Sequence, residues 1–206
     1  IERKGAIQLY TPSTGTIKQV GFIPVNLTYL DGGQAEDGLL GLAIDPGFAA
    51  NGWLYLFYSK AGAEPKNVLA RYTMRGDSVD TSTPIVMLEV VVQREQCCHT
   101  GGSIAFDAKG NLFLSTGDNS NPFMNGYAPI DERPGRMPWD AQKSSANTND
   151  LRGKILRIHP EPDGSYTIPE GNLFPPGMAK TRPEIYTMGH RNPYRIAVDK
   201  HTGVLY

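Results

Sequence analysis

Leu42-Ala43-Ile44-Asp45, followed by Asn51-Gly52-Trp53-Leu54-Tyr55, sets a pattern that occurs three times in this sequence. Ile104-Ala105-Phe106-Asp107 is followed by Gly110-Asn111-Leu112-Phe113, and Ile196-Ala197-Val198-Asp199 by Gly203-Val204-Leu205-Tyr206. The unit is an apolar strand carrying Ala, an Asp that starts a turn, a Gly, and a second apolar or aromatic strand. The three Asp positions lie 62 and 92 residues apart. Each unit is a hairpin that cannot bury both of its faces alone, so the units must pack against one another. Four-stranded sheets set around an axis, a β-propeller, meet that need. A β-sandwich with similar turns is the competing architecture. The third copy stops at Tyr206, inside its second strand. Three copies do not close a ring, so the expectation is that the chain is part of a longer propeller.

Composition agrees with an all-β chain. Its 206 residues include 23 Gly and 16 Pro, well above average usage, which means many turns and few long helices. Lys plus Arg number 20 and Asp plus Glu 21, so the net charge is -1. That balance argues against a nucleic-acid footprint or a polybasic membrane contact. The longest apolar run, residues 85–92 (IVMLEVVV), is interrupted by Glu89 and is strand-sized, far short of the 18 or so residues of a membrane span. The sequence opens on Ile1 with no charged-then-apolar leader, as a chain whose leader has been removed or trimmed would.

Turn signals divide the rest into short strands. Residues 7–10 and 17–20 flank Pro12-Ser13-Thr14-Gly15, and residues 68–74 and 85–92 flank Arg75-Gly76-Asp77; both read as hairpins. Residues 53–58 (WLYLFY), 112–116 and 155–158 read as strands, and Asp163-Gly164 turns the chain into residues 166–168. Residues 122–138 are irregular, and the polar stretch 139–152 has no helical period and reads as loop.

Two strand entrances carry groups suited to chemistry. His99 lies just before the second repeat's strand, where it can act as a proton acceptor near neutral pH. Asp118 ends the partner strand of that hairpin, so the pairing brings it back toward His99, where a carboxylate fixes the tautomer of the base. A structural His beside a turn-forming Asp is the alternative. His190-Arg191-Asn192-Pro193 stands at the equivalent entrance of the third repeat. Arg191 offers a fixed fork of donors and Asn192 both donor and acceptor, a set suited to an anionic or quinone-like ligand. The adjacent Cys97 and Cys98 are either a vicinal disulfide or two reduced buried thiols. The sequon Asn26-Leu27-Thr28 carries little weight. His159 and His201 read as exposed turn residues, and Trp139 in the polar loop is a candidate for stacking on a sugar ring.

Four motifs in order resemble the soluble glucose/sorbosone dehydrogenase family: Gly38-Leu39-Leu40-Gly41-Leu42-Ala43 with Asp45-Pro46; His99 with Gly102 and Ser115-Thr116-Gly117-Asp118; Gly153-Lys154-Ile155-Leu156-Arg157-Ile158; and Gly189-His190-Arg191-Asn192-Pro193. The resemblance runs from about Gly38 to the end, with residues 7–20 compatible with the family's first blade. It implies a six-bladed propeller of which residues 1–206 cover roughly the first half. It implies quinoproteins that use pyrroloquinoline quinone (PQQ) and calcium to oxidise an aldose sugar or related alcohol, passing electrons to an external acceptor such as a cytochrome c in the periplasm or outside the cell.

Residue by residue, His99 matches the general base and Asp118 the carboxylate that orients it. Arg191 and Asn192 match cofactor-binding residues. Glu36 stands where the family's most studied member has Gln, a position that contacts sugar or cofactor. The family's calcium ligands lie past Tyr206, so no metal ligand is assigned. Two other functions share the architecture: a calcium-dependent propeller lactonase or hydrolase, and a non-catalytic carbohydrate- or protein-binding propeller.

Overall fold

The structure is a computed structural model in which residues 1–123, 126–127 and 129–206 are described. Among the described residues eleven strands and one short helix follow in order: β1 (Ala6–Thr11), β2 (Thr16–Phe22), β3 (Leu39–Ile44), α1 (Phe48–Asn51), β4 (Trp53–Ser59), β5 (Lys66–Arg75), β6 (Ser78–Val91), β7 (Gly101–Phe106), β8 (Leu112–Thr116), β9 (Lys154–Pro160), β10 (Tyr166–Thr167) and β11 (Ile185–Met188). Strands β3-β4-β5-β6 form one antiparallel sheet in chain order. Strands β7-β8-β9-β10 form a second, with β11 also pairing with β9, and β1-β2 form a hairpin of their own. Consecutive strands pair with their neighbours, as in the blades of a propeller.

The period-2 geometry of β4 explains the stacking. Tyr55, Leu56 and Phe57 are all fully buried, so this strand has no solvent face. Tyr55 and Phe57 join the core shared with Leu112, Leu114, Leu156 and Ile158 of the following sheet. Leu54, Leu56 and Tyr58 point the other way, into a core with Ile7, Val20 and Ile23 of and beside the first hairpin. Alternate side chains therefore glue one sheet to two neighbours. At the inner edge β3 lies against β7, and a Cβ on Gly41 would overlap the Gly102 carbonyl oxygen.

The turn Asp of each repeat plays the same part. Asp45 Oδ1 accepts from Gly47 N (2.8 Å), Asp107 Oδ1 from Lys109 N (2.8 Å) and Asp199 Oδ1 from His201 N (2.8 Å). Gly52, Gly110 and Gly203 follow with φ of 68°, 80° and 73°, a left-handed backbone that favours Gly.

Two strand readings are refined. The strand read as residues 85–92 begins at Ser78, because the hairpin at Gly76 continues straight into it. The third repeat forms its hairpin as a single bridge, Val198 to Leu205, with Ala197 and Tyr206 exchanging two main-chain hydrogen bonds. The polar stretch 139–152 is irregular as read, apart from single 3-10 turns at Met137–Trp139 and Ala141–Lys143. Of the stretch 122–138, residues 124, 125 and 128 lie outside the described residues.

Candidate functional site

Glu36, His99, Asp118, Arg191 and Asn192 converge. His99 and Asp118 flank the β7–β8 hairpin, whose first pair is Gly101 with Thr116. His99 Nδ1 lies 2.8 Å from Asp118 Oδ1, and both side chains are almost enclosed, at 7% and 3% exposure. Arg191 Nε donates to His99 Nε2 across 3.3 Å. A guanidinium only donates, so Nε2 accepts, and the imidazole proton sits on Nδ1 facing the carboxylate. The tautomer is thus set from both sides.

The backbone around this pair is clamped. Asp118 N donates to Arg191 O (2.8 Å), Asn119 N to His99 O (3.1 Å) and Ser120 N to Asp118 Oδ1 (2.9 Å). A Cβ on Gly117 would overlap the His99 carbonyl oxygen, so this close approach admits only Gly. Glu36 Oε2 accepts from the N–H groups of His99 (2.9 Å) and Thr100 (3.1 Å) and from Asn192 Nδ2 (3.4 Å). Asn192 Oδ1 in turn accepts from Gly101 N at 3.0 Å.

Two supporting groups escaped the sequence reading. Asp37 and Arg94 form a buried ion pair, Nε to Oδ2 at 3.2 Å. Asp37 also accepts from Asn26 Nδ2 (2.8 Å) and Thr100 Oγ1 (3.3 Å), and Arg94 donates to the carbonyls of Lys60 and Gly62. The repeat contained the signal for Asp37. Asp37, His99 and Arg191 each stand eight residues before the turn residues Asp45, Asp107 and Asp199.

Lys154, the second residue of the Gly153-Lys154 motif, is fully buried. Its Nζ donates to the carbonyls of Ser144 (2.8 Å), Ser145 (3.0 Å) and Arg152 (2.7 Å), one for each ammonium proton. Burial pushes Lys154 down to about 8, still protonated at neutral pH. Ser145 O also accepts from Gly189 N and Gly153 O from His190 N, so this knot holds the segment that delivers Arg191. Burial and the nearby Lys154 charge lower the His190 imidazole from its ordinary range.

Cys97 and Cys98 are joined as a vicinal disulfide directly before His99. One expectation is corrected. His159 belongs to β9, not a turn, and is half-buried with Nδ1 3.0 Å from Asn111 Oδ1. The Arg136 guanidinium covers one face of Trp139 at 3.7 Å. His201 is exposed, as read. Asn26 of the sequon turns its amide inward to Asp37.

A cavity of about 290 Å³ is lined by Asp118, Asn119, Met137, Pro138, Lys143 and Arg152. The larger one, about 700 Å³, lies between the first hairpin and β3 at the Asp45 end, away from His99. Among the described residues no group of three or more His, Cys, Asp or Glu is arranged to hold a metal ion.

Stacked antiparallel sheets with an acid–base cluster at their inner strand entrances define a propeller-type chain with one composite site. The chain belongs to the Glucose / Sorbosone dehydrogenase family, whose model matches residues 1–206. It is 28% identical over 218 residues to Hedgehog-interacting protein of Homo sapiens, covering 98% of this chain and 28% of that protein. It is 26% identical over 202 residues to quinoprotein glucose dehydrogenase B of Acinetobacter calcoaceticus, covering 94% of this chain and 39% of that protein. A solved structure of a putative oxidoreductase (glucose dehydrogenase) from Thermus thermophilus superposes with a TM-score of 0.73 at 27% identity, over 99% of this chain and 52% of that one. The chain thus spans less than two fifths of either curated relative and about half of the solved structure.

Proposed function

We propose that the intact protein is a six-bladed quinoprotein that oxidises an aldose sugar or related alcohol, with PQQ and calcium as its cofactors. One observation carries this reading: His99 is held between Asp118 and Arg191 with its Nε2 lone pair on the side from which Arg191 approaches. In this reading Nε2 takes the proton of the sugar's anomeric hydroxyl, which displaces the long bond from Arg191. Asp118 then faces an imidazolium and stabilises it. When bound, the quinone supplies the hydride acceptor that conversion of the sugar to a lactone requires.

The residues present suit such a group. Arg191 is exposed, and among the described residues only its Nε is bonded, leaving both Nη groups as donors to anionic or quinone oxygens. Asn192 stands beside it. The family relationship and the similarity to a quinoprotein glucose dehydrogenase support the same reading. No residue is assigned to calcium. A periplasmic or secreted location agrees with the vicinal disulfide, since disulfides persist in oxidising compartments. No helix is long and apolar enough to cross a membrane among the described residues. An external electron acceptor of the cytochrome c kind completes the cycle.

The test is a PQQ titration of the intact protein with calcium, followed by dye reduction with a panel of aldoses. Tight binding with aldose-dependent reduction is the expected result. Binding without turnover reopens the substrate class. No binding favours the second reading, a non-catalytic binding propeller, for which the similarity to Hedgehog-interacting protein speaks. Arg191→Ala is expected to weaken PQQ binding by about tenfold or more, as loss of a charge-assisted contact does. Full affinity in that variant contradicts the cofactor assignment.

A further inference from the structure

We infer that Glu36 is a positioning residue for His99, holding the main-chain conformation from which the imidazole reaches its two partners. The inference rests on the base role given to His99 above, and on neither the identity of the cofactor nor that of the sugar.

His99 has φ of 64°, in the left-handed region that residues with a Cβ avoid. Such a residue persists only where its surroundings hold it. Left-handed backbone also turns successive N–H groups to one side, forming a concavity that binds an anion. Here the N–H groups of His99 and Thr100 point together at Glu36 Oε2. The carboxylate fills the cradle and stabilises the strained turn by charge-assisted bonds.

Glu36 is itself fixed. Its N–H donates to the Tyr29 hydroxyl at 3.2 Å, and burial pushes that phenol up to about 12, so it stays neutral. Asn192 Nδ2 is a third donor to Oε2. The next residue, Asp37, holds the Thr100 hydroxyl, so both members of the entrance pair Glu36-Asp37 grip Thr100, and Glu36 grips His99 as well, just ahead of β7. With the cradle in place, Nδ1 meets Asp118 and Nε2 meets Arg191. A carboxylate engaged by three donors, and carrying a charge that repels an anionic quinone, is better placed to hold His99 than to touch the cofactor.

The experiment follows the low-field Nδ1 proton of His99, held against Asp118, by nitrogen-edited NMR on the intact protein without added quinone. His99→Ala assigns the signal. Glu36→Gln keeps an acceptor for both amides and is expected to keep the signal and near-normal turnover. Glu36→Ala is expected to lose or broaden the signal and to lower kcat between about tenfold and a hundredfold, the scale of a misplaced catalytic group, with PQQ affinity retained. An unchanged signal in Glu36→Ala overturns the inference. So does a weakening of PQQ affinity by about tenfold with the signal intact, which makes Glu36 a cofactor ligand. If the Ala variant does not fold, Glu36→Asp, one methylene short of the amides, is read in the same way. A wild-type protein that neither binds PQQ nor oxidises aldoses removes the proposed function, while the signal still decides the role of Glu36.

Discussion

On the proposed function, replacing His99 with Ala is expected to lower aldose turnover by at least about a hundredfold, the usual loss on removing a general base, and to leave PQQ affinity close to normal. The expectation follows from the geometry. Asp118 and Arg191 fix one tautomer, so the Nε2 lone pair is the group placed to accept a proton. Arg191 and Asn192, the proposed cofactor contacts, remain in the variant. The measurement is steady-state dye reduction at saturating PQQ, paired with a PQQ titration. Unchanged turnover removes His99 from the mechanism. Equal losses in turnover and affinity make its role binding rather than proton transfer.

Lys154→Met is expected to destabilise the intact protein by about 3 kcal/mol at pH 7. Three buried carbonyls lose their donor at about 1–3 kcal/mol each, offset in part by relief from burying a charge. Urea unfolding measures it, and a loss under about 1 kcal/mol contradicts the account. The effect also depends on pH. Burial lowers the folded-state value to about 8 from the ordinary 10.5. Between those values the unfolded chain binds more protons than the folded one, so this group's contribution to stability rises with pH across that window. The gap between wild type and Lys154→Met therefore widens from about pH 8 to 10.5, by at most about 1.4 kcal/mol per pH unit. A constant gap shows that the three carbonyls hold the proton against burial.

The repeat was legible because an Asx turn and a left-handed Gly are local chemistry, written into adjacent residues. The hairpins follow from the same signals, and so does the approach of Asp118 to His99, since their separation is set by one hairpin. Arg191 joined them only through the equivalence of strand entrances. What stayed hidden was long-range. Arg94 sits at no repeat position, and its pairing with Asp37 depends on how the segment after β6 returns to the axis. Lys154 reads as an ordinary strand lysine until the 144–145 turn folds over it. The Trp139 face is covered by Arg136, three residues away, a pairing that a loop's shape decides and periodicity does not.

Asp37, His99 and Arg191 occupy one register position in three successive units, each eight residues before a turn residue that never touches the site. Scaffold and chemistry are therefore separately heritable. A lineage that keeps the Asp turns and exchanges the entrance residues of one unit retains its architecture while its function drifts.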